Sequence, residues 1–485
     1  MARLSARERK TSSGMAWTLG RALLQLVVGI GVGVALARLL PPRDFGLVAI
    51  ATGFGVLAEA LALAGLGTAL IQQPTLRRPT IDTTLLLSFV AAAGFIALFA
   101  LAAPFVARFY GAPELQPILV LVGVTQGAMT LGVVPRSLMR RHLRHRTLAA
   151  IDLASYLLGY ATVSVTLAWL GAGAMSLAWG LLAWWGIATL ACWWRAGSPR
   201  WRPRWSAPEG RAILAYGLTL SGKSVVVYLG GAVNNLLLGW LLGPEPLGLF
   251  QRAAQLALIP LQRLGATIGH VLFPAYALIQ DQPEKLQRAL LDGQRTLALI
   301  CFPILTAFIA VPETVIVGLY GEAWIDAAPL LAILAVVVLV DLTHHLLGPL
   351  VEACGLAARE LRLQLLFVAL LAAAIILAAP FGLAAVAWAH LLPTLILNLT
   401  LCWLAFPLAH LTWAPWLAAN RAGLGLGAVT ALAALAAEAI SRWLLPGRPT
   451  LTLIAVAGGC AVVYLIGLWR TPGPHQQWLR RRANG

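Results

Sequence analysis

The sequence predicts an all-α integral membrane protein with about 14 transmembrane helices. They form two pseudo-symmetric six-helix lobes around a central cavity, plus two C-terminal helices. Three observations carry this. First, 60% of the 485 residues are hydrophobic and only 11% are charged, with mean hydropathy +0.83. A soluble domain carries about 25% charged residues, so this chain lacks the polar surface to cover a globule in water. Second, the apolar residues fall into runs close to the roughly 20 residues that a spanning helix needs. Third, a turn motif recurs: residues 39–47 read LLPPRDFGL and residues 241–249 read LLGPEPLGL, identical at five of nine positions with an offset of 202.

The apolar runs lie at 15–38, 45–71, 82–103, 118–138, 148–170, 172–194, 212–242, 247–276, 296–319, 328–351, 363–379, 383–407, 422–444 and 451–469. The first is long enough to span and follows a polar, basic stretch, so it is expected to remain as a helix and not to be cleaved. Basic residues mark the cytoplasmic side of a membrane protein. With the N-terminus inside, 26 Lys and Arg fall in inside segments, five in outside loops and four within helices. The alternation holds along the whole chain, so both termini are expected in the cytoplasm. The resulting plan is a basic tail (1–14), an N-lobe (15–194), a basic loop (195–211), a C-lobe (212–407), two added helices (408–470) and a basic tail (471–485).

The repeat sets the relation of the lobes. Each copy of the motif joins the first and second helix of its lobe. A second echo pairs Tyr110-Gly111 with Tyr320-Gly321. Six spans is an even number, so the lobes share one orientation and form a parallel repeat about an axis along the membrane normal.

The net charge of +17 does not point to nucleic acid, because the basic residues sit in short loops between spans. The five cysteines are scattered and have no metal or disulfide spacing. No metal or cofactor is expected. A membrane enzyme would need a positioned carboxylate or base at the aqueous surface. Here the outside loops are short, and neither a phosphate-cradling loop nor a nucleophile elbow is present. A transporter is expected and not an enzyme.

Ionisable groups inside spans are costly, and they usually face a water-filled cavity or the bundle interior. Arg21 and Gln25 lie one turn apart in the first helix. Lys223 and Asn234 are eleven residues apart in the seventh, which places them on one stripe. Arg252 and Arg263 repeat that spacing in the eighth, with Gln255 beside them. Arg21 plus the repeat offset gives Lys223, so each lobe carries a cation at the same depth of its first helix. The expectation is a cationic cavity lined by Arg21, Lys223, Arg252 and Arg263, with Gln25, Asn234 and Gln255 as polar lining. Snorkelling to the membrane surface is the competing reading for each cation. Glu59, Asp341, His344 and His345 are candidates for a coupling role, and a polar helix–helix contact is the alternative for the last three. The inside segments 136–146 and 195–211 are expected to meet anionic headgroups. An arginine fork suits phosphate, so a lipid-linked pyrophosphate fits such a cavity, its tail left in the bilayer.

The run Ala37-Arg38-Leu39-Leu40-Pro41-Pro42-Arg43-Asp44-Phe45-Gly46-Leu47 after a span carrying Arg21, and Leu319-Tyr320-Gly321 followed by Ala327-Ala328-Pro329-Leu330-Leu331, resemble Wzx-type polysaccharide and O-antigen flippases. These belong to the multidrug/oligosaccharidyl-lipid/polysaccharide exporter superfamily. The resemblance implies translocation of an undecaprenyl-pyrophosphate-linked repeat unit across a bacterial inner membrane. It also implies a V-shaped cavity, and a polymerase and glycosyltransferases as partners in polysaccharide assembly. Cavity arginines on the first and eighth helices of related lipid II flippases imply such a part for Arg21, Arg252 and Arg263. The alternatives are a multidrug antiporter of the same superfamily, which calls for an acidic cavity; a membrane polymerase or glycosyltransferase; and a scramblase or scaffold.

Overall fold

A computed structural model describes residues 27–72, 77–196, 202–444 and 446–470. Among these residues the protein is built from helices and turns, with no strand. Among the described residues ten helices are long and apolar enough to cross a membrane, from Arg78–Phe109 to Pro449–Trp469. Much of their apolar surface faces outward: Phe105 is 70% exposed, Phe381 81% and Trp403 78%. In water, contiguous exposure of this kind would drive association. In lipid it costs nothing, and the protein is a multi-pass membrane protein.

The helices run longer than the apolar stretches alone suggest. Arg78–Phe109 extends the expected 82–103 at both ends, Ala207–Leu241 starts five residues before 212, and Trp413–Leu444 starts nine before 422. Polar end turns continue a helix beyond the hydrocarbon, which hydropathy does not register. The expected ninth span, 296–319, divides. Pro283–Ala310 ends at Val311, and a new helix, Pro312–Tyr320, begins with proline at its first position. Pro312 has no backbone N–H to continue the ladder, so the helix restarts there.

The chain divides into two compact units. The first comprises 1–44 and 58–221, the second 45–57 and 222–485. Residues 45–57 of the helix Pro42–Gln72 belong with the second unit, and residue 46 among them is glycine. A Cβ at Gly46 would lie 1.6 Å from the Pro244 carbonyl oxygen, so only a residue without a side chain permits that approach. The two copies of the repeated motif therefore meet backbone to backbone. In each copy the equivalent proline, Pro42 or Pro244, opens a helix.

In the second unit a core of Tyr276, Leu286, Leu290, Leu346, Leu350 and Leu401 joins several helices. The hairpin formed by Trp413–Leu444 and Pro449–Arg470 packs on Pro283–Ala310 and Pro312–Tyr320. Glu438 fixes this hairpin. It accepts a hydrogen bond from the buried Thr314 hydroxyl and pairs with Arg442 at 3.0 Å; Arg442 also reaches Glu313 at 3.5 Å.

In the first unit, basic residues expected to meet headgroups have partners within the protein. Arg141 Nη1 donates to the Leu70 and Ile71 carbonyls at 3.0 and 3.3 Å. It thereby caps the C-terminal end of the Pro42–Gln72 helix, where carbonyls lack intrahelical partners. Arg136 pairs with Asp152 at 2.7 Å. The segment after residue 202 packs on the start of the Arg78–Phe109 helix, where Thr80 donates to Glu209 at 2.9 Å and the Arg202 N–H to Asp82 at 3.3 Å.

Candidate functional site

Of the four expected cations, Arg252 is the one whose side chain is described. Arg21 and Gln25 lie outside the described residues. Lys223, Arg263 and Glu59 fall in helices, but on stretches whose side chains lie outside the described residues.

Arg252 stands on the helix Pro244–Ile279 and is 8% exposed. Burying an uncompensated guanidinium would be prohibitive, and the surroundings supply the compensation. Its Cζ lies 3.8 Å from the centroid of the Phe45 ring, whose negative face attracts the cation. Its Nη1 donates to Gln255 Oε1 at 2.9 Å. Trp324, fully buried, holds Phe45 edge-on at 5.3 Å and Tyr320 at 5.7 Å. Arg252 therefore sits on the face of one ring, Phe45, that Trp324 in turn holds, all in the second unit. Among the described residues no carboxylate lies within ion-pair distance of it.

A second polar cluster lies nearby in chain order. The side-chain amide of Asn234 is 3.1 Å from His390 Nε2. The other His390 nitrogen, Nδ1, meets the Val386 carbonyl at 2.8 Å, so Nδ1–H donates there and the Nε2 lone pair is left to accept from the Asn234 amide N–H. Gln251 donates to Asn235. This links Ala207–Leu241, Pro244–Ile279 and Leu383–Ala409 through amides and one imidazole. Sequence reasoning missed His390, although a histidine in the middle of an apolar run was the signal.

Asp341, His344 and His345 do come together. His345 Nδ1 is 4.0 Å from Asp341 Oδ2, and the His344 and His345 rings lie edge to face at 5.7 Å. The helix is interrupted at residues 342–343, so the three do not follow one unbroken face. His344 Nε2 is 3.3 Å from Gln364 Nε2. A buried carboxylate not singled out in the sequence, Glu360, also approaches. A Cβ at Gly348 would be 3.2 Å from Glu360 Oε1 and 3.9 Å from His344 Nε2.

The family described as polysaccharide biosynthesis protein matches residues 35–329. The chain belongs to this family. Among curated members, it is similar to the lipopolysaccharide biosynthesis protein WzxC of Escherichia coli (strain K12), 27% identical over 72% of this chain and 71% of that protein. It is similar to the teichuronic acid biosynthesis protein TuaB of Bacillus subtilis (strain 168), 22% identical over 72% of each. It also matches the succinoglycan biosynthesis transport protein ExoT of Rhizobium meliloti (strain 1021), 27% identical over 62% of this chain and 60% of that protein. Among solved structures, the lipid II flippase MurJ in an inward closed conformation aligns with TM-score 0.74 at 13% identity, covering 92% of this chain and 96% of that one. An inward-facing multidrug resistance transporter of the MATE family aligns with TM-score 0.63 at 16% identity, covering 80% and 95%. This polysaccharide biosynthesis family member thus has the fold of flippases and exporters, and the relatives that carry the resemblance are proteins of polysaccharide biosynthesis and transport.

Proposed function

We propose that the protein is a flippase. It moves a polyprenyl-pyrophosphate-linked oligosaccharide repeat unit from the inner to the outer leaflet of a bacterial inner membrane, for surface polysaccharide assembly. The observation that carries this reading is the conjunction of two likenesses. The sequence relatives serve lipopolysaccharide, teichuronic acid and succinoglycan synthesis, and the fold is shared with a lipid II flippase. Fourteen spans, with both termini in the cytoplasm, form two six-helix lobes and a C-terminal hairpin. The lobes alternate access to a cationic cavity in which Arg21, Lys223, Arg252 and Arg263 meet the pyrophosphate, with Gln25, Asn234 and Gln255 alongside. Glu59, Asp341, His344 and His345 serve coupling. Glycosyltransferases supply the substrate and a polymerase consumes it. A multidrug antiporter is the second reading, favoured by the fold shared with the MATE transporter.

The test is leaflet-resolved measurement of lipid-linked repeat units in a deletion strain without a redundant flippase. The strain is complemented by the wild-type protein or by Arg263→Ala. Intermediates should accumulate on the inner leaflet, be released by wild type and stay trapped with the well-expressed variant. Normal delivery to the outer leaflet without the protein overturns the reading and favours the drug-exporter alternative.

A further inference from the structure

The middle of the first unit holds a row of aromatic rings that the cation set does not use. The helix His145–Trp169 contains one π-helical turn, Tyr156–Ala161. Such turns give up regular hydrogen bonding and concentrate at functional sites. Here the turn sets Tyr156 and Tyr160 side by side, stacked at 5.5 Å. The neighbouring helix Ala174–Ala196 brings Trp184 edge-on to Tyr156 at 5.1 Å, and Trp185 stacks on Trp184 at 5.2 Å. The helices can approach because residue 159 is glycine; a Cβ there would stand 2.5 Å from the Trp184 backbone nitrogen. Below Trp185 lies the Arg136 guanidinium, 5.1 Å from the ring centroid. One Arg136 nitrogen pairs with Asp152 at 2.7 Å. Its Nε is buried with no hydrogen-bond partner among the described residues.

Aromatic residues in spanning helices ordinarily gather at the ends, at headgroup level. These do not. Tyr156 and Tyr160 are the twelfth and sixteenth of the 25 residues of His145–Trp169, and Trp184 and Trp185 the eleventh and twelfth of the 23 of Ala174–Ala196. At 1.5 Å per residue they stand roughly 13–17 Å from the nearer helix end. All four are half-buried, neither sealed into a core nor fully turned to lipid. A row of half-buried aromatic rings with a charged pair at one end is the chemistry that holds a sugar ring. The apolar C–H face of the sugar lies on the rings and its hydroxyls reach polar groups at the edge.

We propose that this row is a saccharide-stacking site. The C–H face of a sugar of the exported repeat packs along the exposed sides of Trp184 and Tyr156, with hydroxyls toward the Asp152 carboxylate, whose side chain is 39% exposed. The proposal rests on the flippase reading and adds that the first unit holds the sugar portion of the substrate, apart from its pyrophosphate.

The experiment measures binding of two ligands to the purified full chain in nanodiscs: bare polyprenyl pyrophosphate, and the same lipid bearing the repeat unit. Trp184→Leu keeps an apolar side chain but removes the ring, and should weaken the saccharide-bearing lipid about three- to tenfold while leaving the bare lipid within about twofold. Trp184→Phe should restore most of the loss. Equal loss on both ligands, or on neither, overturns the proposal. Saturation-transfer NMR with the free oligosaccharide separates this site from the flippase reading. If wild type binds neither lipid, yet sugar C–H protons receive saturation that Trp184→Leu abolishes, the flippase reading fails and the site stands. If no saturation reaches the sugar, the site falls.

Discussion

At the scale of the residue, the protein handles its buried charges by surrounding them. Arg252 has a ring face and an amide carbonyl about it, and Glu438 has Thr314 and Arg442. The sequence exposed Arg252 as an ionisable group in an apolar run, which is the mark of a costly and therefore purposeful residue. It did not reveal the partners, because Phe45 is 207 positions from Arg252 and Thr314 is 124 from Glu438. The Phe45 ring is a testable part of this arrangement. Phe45→Leu keeps most of the apolar volume and removes the quadrupole that faces the guanidinium. It should lower stability by roughly 0.5–2 kcal/mol, read as a fall in the thermal midpoint of the purified protein. Arg252→Leu in the Phe45→Leu background should then add less than it does alone, since the two share one interaction. Fully additive effects would sink the assignment.

At the scale of the element, hydropathy located the helices and left their ends and breaks to other forces. Pro312 ended one helix and opened the next, a break the apolar pattern ran straight through. The π turn at Tyr156–Ala161 left no mark in the sequence, because it answers to the packing of Gly159 on Trp184. Gly46 makes the same kind of demand at the start of the Pro42–Gln72 helix. Gly46→Ala should drive a methyl into the Pro244 carbonyl and cost roughly 1–3 kcal/mol. Gly94, in the Arg78–Phe109 helix, has nothing within 4 Å of its would-be Cβ. There the same change should stabilise by roughly 0.5–1 kcal/mol through the lost backbone entropy. Opposite shifts of the thermal midpoint check both at once; two similar shifts would refute the close approach at Gly46.

At the scale of the whole molecule, the distribution of arginine is an electrostatic statement about orientation. In an otherwise cysteine-free protein, a cysteine at Glu114 should react with a membrane-impermeant maleimide added from outside, and one at Arg144 should react only after the membrane is opened. The reverse pattern would invert the topology. Several arginines of the segment expected on the inside have a second use that composition could not disclose. Arg141 caps a helix and Arg136 neutralises Asp152, so the headgroup reading of that segment accounts for only part of its charge.

What the sequence determined by itself was the solvent, the helical class, the internal repeat and the family. Each depends on properties summed along the chain: too few charges for water, apolar runs of bilayer length, a motif returning after 202 residues. The tertiary structure alone decided which side chains meet. It placed Phe45 over Arg252, Asn234 against His390, Glu360 against Gly348, and four rings in a row above Arg136. In lipid, apolar contact does not discriminate one helix neighbour from another, so pairing rests on small residues and polar contacts spread over distant positions. Periodicity within one helix carries no record of these.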